Sequence, residues 1–408
     1  MKRMLTALLC LALALSACAA PAAPPEAGAS PSAAPAASGA EPLEWLFPPL
    51  EDSSCGAASE TGFYEVLPRD ASGMASPGGY NLCFTDLATL TRVPVCAAPG
   101  CAHDSEACTA WLAEDASVAV WNGQLILGNL DGSGFRWLDC MEPDGSNRHR
   151  LITLPANLSL LEPVAASGQA FYGVGVAVDP DDPEAKPSAG LYRLDPATGR
   201  TDELLPLTGQ DAASVMVSLG DGTLYLKRFL PDGDDAFGIH EVYAVTTGGQ
   251  TAGQPVRWKG TEYTGGYFTG GQLFLLERAT GKLERVDPAT GQRTAVGTLP
   301  DTDYQVATLL GVWDGRLLVN TWRHLDDARA TNVTRQFAVD LTTGRADELP
   351  LPGENRVGEA VPYPLLAEWD SLFLVETGTR RIDSRLAVIS KEDFWAGRAA
   401  YTPITDAR

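Results

Sequence analysis

The sequence predicts an all-β fold, and three observations carry that prediction. Glycine and proline number 41 and 29 among 408 residues while only 20% of residues are charged, a balance that suits short strands and tight turns better than long solvated helices. Hydrophobic residues make up 45% of the chain, enough for a large core. The third observation is a repeat of the turns themselves, in which short apolar runs meet a glycine-containing pair and leave as alternating strands.

The first kind of turn recurs at Asn122-Gly123, Asp221-Gly222, Gly270-Gly271 and Asp314-Gly315, with weaker copies at Ser167-Gly168, Asp370-Ser371 and Thr61-Gly62. Such pairs tolerate positive φ at both centres of a type I′ turn, whose twist matches that of the flanking strands, so each reads as a two-residue hairpin. A second kind follows after one more strand: Asp195-Pro196-Ala197-Thr198-Gly199, Asp287-Pro288-Ala289-Thr290-Gly291 and Asp340-Leu341-Thr342-Thr343-Gly344. Here Asp accepts a backbone N–H at the turn entrance, Pro presets φ, and Gly takes the left-handed position that closes a bulged hairpin. The repeating unit is therefore four strands.

From Gly62 to Ser371 the first-turn positions are spaced by about 51 residues on average, near the repeat of ~40–50 residues that marks propeller blades. A lone four-stranded sheet cannot bury both faces, whereas radial stacking buries each sheet against its neighbours. The expected architecture is a β-propeller over residues 43–408, with seven blades of four antiparallel strands. No convincing inner strand precedes Gly62, which leaves six and eight blades open, as well as the terminus that completes the closing sheet.

Ahead of that body, Lys2 and Arg3 precede an apolar run from Met4 to Leu15 that is too short to span a bilayer, so residues 1–17 read as a secretion signal. The stretch Leu15-Ser16-Ala17-Cys18 resembles the lipobox of bacterial lipoproteins, which implies that Cys18 receives a diacylglyceryl group and becomes the first mature residue. Residues 18–42 are almost purely Ala, Pro, Ser and Gly after the cysteine, a composition that stays extended and unpacked. At ~3.1 Å per residue, such a tether reaches roughly 75 Å. The expected location is the outer face of the bacterial cytoplasmic membrane, with the lipid as the membrane contact.

Six cysteines remain after Cys10 and Cys18: Cys55, Cys83, Cys96, Cys101, Cys108 and Cys140. Three of them form the loop Cys96-x4-Cys101-x-His103-x4-Cys108, whose donors suit a tetrahedral Cys3His site for structural zinc. Disulfides are the competing reading, because thiols outside the cytoplasm normally pair, and free thiols are the third. His149, His240 and His324 fall in different units and read as surface or strand residues. Acidic insertions at Asp181 and Asp182, Asp234 and Asp235, and Asp326 and Asp327 belong to one loop class, so propeller geometry would gather them on one rim able to attract calcium or a basic partner. Solvated loops kept polar for solubility are the alternative there.

The segment Leu87–Trp111, with Pro94-Val95-Cys96-Ala97-Ala98-Pro99-Gly100-Cys101-Ala102-His103-Asp104-Ser105-Glu106-Ala107-Cys108 at its centre, resembles the cysteine loop of a group of Gram-positive, Clostridia-type surface lipoproteins with a TolB-like or PQQ-like propeller body. The lipobox and the Asp-x-x-Thr-Gly turns support the same resemblance, which spans most of the mature chain. It implies fold and location and lends no activity. The regular Trp motif of PQQ-type blades is absent from this sequence.

The net charge of −22 has the wrong sign for a protein that neutralises phosphates, so nucleic acid is not an expected partner. Gly-x-Ser-x-Gly, Gly-x4-Gly-Lys and His-Glu-x-x-His are all missing. The leading expectation is a non-enzymatic binding module for a carbohydrate, peptide or protein ligand. An extracellular hydrolase or lyase working in the propeller channel and a structural subunit of an envelope complex are the alternatives. Replacing Cys18 by Ala is expected to release the protein from membranes into the soluble fraction; retention in the membrane pellet would exclude the lipid anchor.

Overall fold

Both classes of turn form where their residues require them. Asn122 and Gly123 take φ of 50° and 78°, and Asp314 and Gly315 take 48° and 72°, so the neighbouring residues Trp121 and Gln124, and Trp313 and Arg316, pair across two-residue hairpins. In the second class, Asp340 Oδ1 accepts the N–H of Thr342 at 2.9 Å and of Thr343 at 2.7 Å. Gly344, at φ 74°, donates its N–H to the Asp340 carbonyl at 2.8 Å. The weaker copy at Ser167-Gly168 is a different turn. Gly168 does not enter the left-handed region, and the Ser167 hydroxyl closes the bend by accepting the N–H groups of Gln169 and Ala170.

The computed structural model describes residues 42–48, 56–69, 79–130, 134–179, 182, 187–207, 216–220, 222–233, 235–269, 271–300, 302–324, 332–355, 358–378 and 385–406. Strands dominate, and the one α-helix among the described residues is the single turn Lys391–Trp395. Four-stranded antiparallel meanders follow one another along the described chain. Unit one spans 56–94, unit two 116–153, unit three 158–207, unit four 216–259, unit five 263–298, unit six 306–349 and unit seven 365–403. Units two and three are joined by a single bridge between Phe135 and Leu160.

Neighbouring units share apolar cores, which is what makes the fold a propeller. Tyr64, Val66 and Leu82 of unit one pack with Val118, Leu125 and Leu127 of unit two. Phe274 and Leu283 of unit five meet Leu309, Leu317 and Phe337 of unit six. The ring closes where Phe63 of unit one packs with Leu374, Leu386 and Val388 of unit seven. Across that seam the Trp369 indole N–H donates to the Ser59 carbonyl at 2.8 Å. Fully burying each such side chain contributes about 1.5–3 kcal/mol, so each interface is worth more than the turns that present it.

Three strands go beyond the sequence expectation. The inner strand of unit one exists, as Gly56–Ala58 paired to Phe63–Glu65, but three small residues carry no alternation by which to recognise it. Closure brings residues that follow unit seven back to unit one: the short strand Thr405–Asp406 adds in parallel to Thr91–Pro94 at the outer edge of unit one. Before the first unit, Glu44–Phe47 pairs antiparallel with Leu158–Ala166, the first strand of unit three, and buries Leu46 and Phe47. Cys18, the signal and the tether up to residue 41 lie outside the described residues, as do Asp181, Asp234, Asp326 and Asp327. Asp182 is exposed, and Asp235 opens the strand Asp235–Val245.

Two outcomes follow for stability. A Cβ at Gly315 meets nothing within 4 Å, so Gly315→Ala carries only the left-handed penalty of about 1 kcal/mol. A Cβ at Gly344 would stand 2.1 Å from the Val296 carbonyl oxygen of unit five, so Gly344→Ala should lower the melting temperature distinctly more; equal melting would contradict the docking of this turn on its neighbour. His240 packs against Phe229 and stacks on Trp258 at 5.3 Å, and burial, with Lys227 and Arg278 close by, pushes its pKa down to about 4 from 6.5. The folded state therefore holds the neutral ring while the unfolded chain takes the proton, so this contribution is complete above about pH 6.5 and is lost as pH falls toward 4. Denaturant titrations of His240→Phe across that window should show a flatter pH dependence than the parent; an unchanged slope would refute the assignment.

Candidate metal centre and the cleft beside it

The cysteine loop is an excursion from the outer part of unit one, and one residue pinches its base. Leu82, in the strand Tyr80–Asp86, accepts the N–H of Val95 at 2.9 Å and donates its own to the Ala110 carbonyl at 2.8 Å. The chain leaves along Thr91–Pro94 and returns along Trp111–Leu112, and both segments pair with that same strand. Between them, Gly100 and His103 take φ of 71° and 54°, two left-handed residues that fold the segment back on itself. Asn81, with its amide turned to donate, reaches the His103 carbonyl at 3.0 Å.

This folding gathers the four predicted ligands. One donor atom from each of Cys96, Cys101, His103 and Cys108 lies within 4.8 Å of all the others, and His103 Nδ1 stands 3.3 Å from Cys108 Sγ. Zinc–sulfur bonds of about 2.3 Å arranged tetrahedrally hold sulfurs about 3.8 Å apart, so the cluster needs only a small contraction to close on the ion. Cys108 is buried, at 3% exposure, and the other three are half-buried. Cys83, Cys96, Cys101, Cys108 and Cys140 carry free thiols, so no bridge closes the loop among the described residues.

The thiols differ in acidity. Burial opposes ionisation of Cys96, but hydrogen bonds from the Ala98 backbone and from Cys108, Cys101 and Thr109 outweigh it and hold the thiol below its ordinary value. Burial pushes Cys108 up to about 11. Cys96 is thus the more acidic thiol of the cluster and its neighbours donate to it, an arrangement in which a divalent cation would compete with protons for the sulfurs.

A cleft of about 550 Å³ opens against the loop, lined by Cys108, Thr109 and Trp111 on one side and by unit two on the other. Unit two supplies Trp137 and Asp139 from the strand Phe135–Met141, with Arg148, His149 and Arg150 at the start of the last strand. Asp139, 8% exposed at its side chain, anchors this wall by accepting Arg148 at 3.0 Å and Arg150 at 2.6 Å. Arg148 also donates to the carbonyls of Trp111 at 3.0 Å and Thr109 at 3.4 Å, which ties the exit of the cysteine loop to the neighbouring unit. Sequence spacing pointed to the tetrad but not to the cleft, whose walls come from two units; His149, expected at the surface, lies on its rim.

No protein-family model matches the chain, and no curated protein matches it in sequence. In three dimensions it is similar to oligogalacturonate lyase from Vibrio parahaemolyticus, at 12% identity and a TM-score of 0.50 over 78% of this chain and 85% of that one. It is also similar to the acylaminoacyl peptidase of Pyrococcus horikoshii, at 10% identity and a TM-score of 0.50 over 86% of this chain; the match spans 52% of the peptidase. The β-propeller domain of the trilobed protease from Pyrococcus furiosus aligns over 90% of this chain and 97% of its own length, at 10% identity and a TM-score of 0.47. At such identities the likeness concerns the scaffold: the chain is an all-β propeller, and its chemistry has to be read from its own residues.

Proposed function

We propose that the protein is a lipid-anchored, extracytoplasmic binding module whose recognition surface is organised by structural zinc in the cysteine loop. The observation that carries the metal is the convergence of three sulfurs and an imidazole nitrogen within 4.8 Å. All four positions are filled by protein donors, which is the pattern of a structural site, since a catalytic zinc keeps one position open. Zinc at this place fixes Cys108 and hence the wall of the adjoining cleft. The anchor rests on Leu15-Ser16-Ala17-Cys18 and on the Ala- and Pro-rich segment that follows. The acidic insertions, of which Asp182 and Asp235 are among the described residues, carry no part of this reading.

Elemental analysis of purified mature protein should return one zinc per chain. Chelation should expose Cys96, Cys101 and Cys108 to alkylation, while the sheet signal in circular dichroism persists because the loop is an appendage of unit one. Cys101→Ser should lower zinc affinity by at least about tenfold, and affinity should fall as pH drops, because protons compete for the sulfurs. Metal-free protein whose thiols become reactive only after reduction would overturn the zinc reading in favour of disulfides.

A further inference from the structure

We infer that the cleft between the metal loop and unit two binds a neutral sugar residue of a glycan chain; this rests on the reading of the protein as a binding module and names its ligand class. The volume of about 550 Å³ lies in the range of small-molecule sites. Its lining combines two indoles, Trp111 and Trp137, with polar groups held in fixed positions, which matches a pyranose whose ring carries apolar C–H surface and peripheral hydroxyls.

Arg150 is the prepared donor. Its Nε contacts Asp139 at 2.6 Å and its guanidinium lies 4.8 Å from the centre of the Trp137 ring, so it is immobilised through Nε and one face while its side chain stays 47% exposed. The two terminal nitrogens carry the N–H groups that a ligand oxygen would meet. His149 is the matching acceptor: its Nδ1 lies 2.8 Å from the Asn147 carbonyl, and a carbonyl only accepts, so Nδ1 bears the hydrogen. In the neutral ring, Nε2 then offers a lone pair to a hydroxyl proton. A donor and an acceptor on adjacent residues suit the neighbouring hydroxyls of a sugar.

Charge narrows the class. Arg148 and Arg150 stand against Asp139, Glu106 and Glu114, so the lining is net negative by one within a chain of −22. A polyanion meets that field unfavourably, and a cation must sit beside two guanidinium groups. An uncharged polyol incurs neither penalty.

Calorimetric and tryptophan-fluorescence titrations of the zinc-assayed mature protein with chitotetraose and cellotetraose, and with tetragalacturonate as the anionic probe, test the inference. Saturable binding of a neutral tetrasaccharide is expected, weakened about tenfold or more in Arg150→Ala and in His149→Ala, with zinc content unchanged in both and melting unchanged in His149→Ala, whose ring takes no part in the Asp139 ion pairs. Absence of binding by both neutral probes into the millimolar range, tighter binding of tetragalacturonate, or unaltered affinity in both variants would each overturn it. Neutral-glycan binding by protein that contains no zinc would remove the metal reading and leave the cleft assignment standing.

Discussion

Everything in this molecule depends on packing one four-stranded sheet against the next until the last meets the first. Each unit is too thin to fold alone, so residues such as Leu125, Leu317 and Phe373 reach full burial only when a neighbouring unit supplies the opposite surface. Closure is therefore a stability condition. Without the contact of Phe63 with Leu374 and Leu386, two sheet faces would stand in water. The parallel pairing of Thr405–Asp406 with Thr91–Pro94 adds a second seal at the rim, joined by Arg92, which bonds both Glu65 and Asp406.

Away from the apolar interfaces, the outer strands are held by a second device that recurs from unit to unit. Glu241 of unit four, 1% exposed at its side chain, is gripped by Arg228 and Arg257; Glu284 of unit five by Lys282 and Arg293; Asp139 of unit two by Arg148 and Arg150. In each case an acid on the third strand meets a cation from the fourth. Burying a carboxylate is costly, and two cationic partners offset that cost; what they gain is a defined register at strands whose outward faces have little apolar surface to fix it. In unit two the device acquires a further role, because Arg148 reaches on to the carbonyls of Thr109 and Trp111 at the exit of the cysteine loop and Arg150 faces the cleft.

What the sequence revealed depended on range. Turn chemistry is local: Asn122-Gly123 and Asp340 to Gly344 state their conformation within two to five residues, and the periodicity of those turns carried the fold. The spacing of Cys96, Cys101, His103 and Cys108 is local too, and the loop does bring them together. The strand Gly56–Ala58 left no trace because three small residues form no pattern. Glu44–Phe47 was illegible for a different reason, since its partner strand begins more than a hundred residues later. The cleft is non-local in the same sense, joining Trp111 to Arg150 across a unit boundary. The acidic insertions drew notice as charge runs, but charge alone fixes no geometry.

The strand Glu44–Phe47 also decides how the body carries mechanical load. Its residues pair with Leu158–Ala166, while Leu46 and Phe47 sink into the core shared by units two and three, where Phe47 lies 4.7 Å from the ring of Phe135. A pull arriving from the N-terminal side is thus delivered to a wedge lodged between two sheets and resisted by hydrogen bonds and buried aromatic surface together. The seam between units seven and one, made by Phe63, Leu374, Leu386 and Val388, lies outside that load path. The wedge and the closing seam use separate parts of the ring, so a force applied at Glu44 does not act directly on the joint between units seven and one.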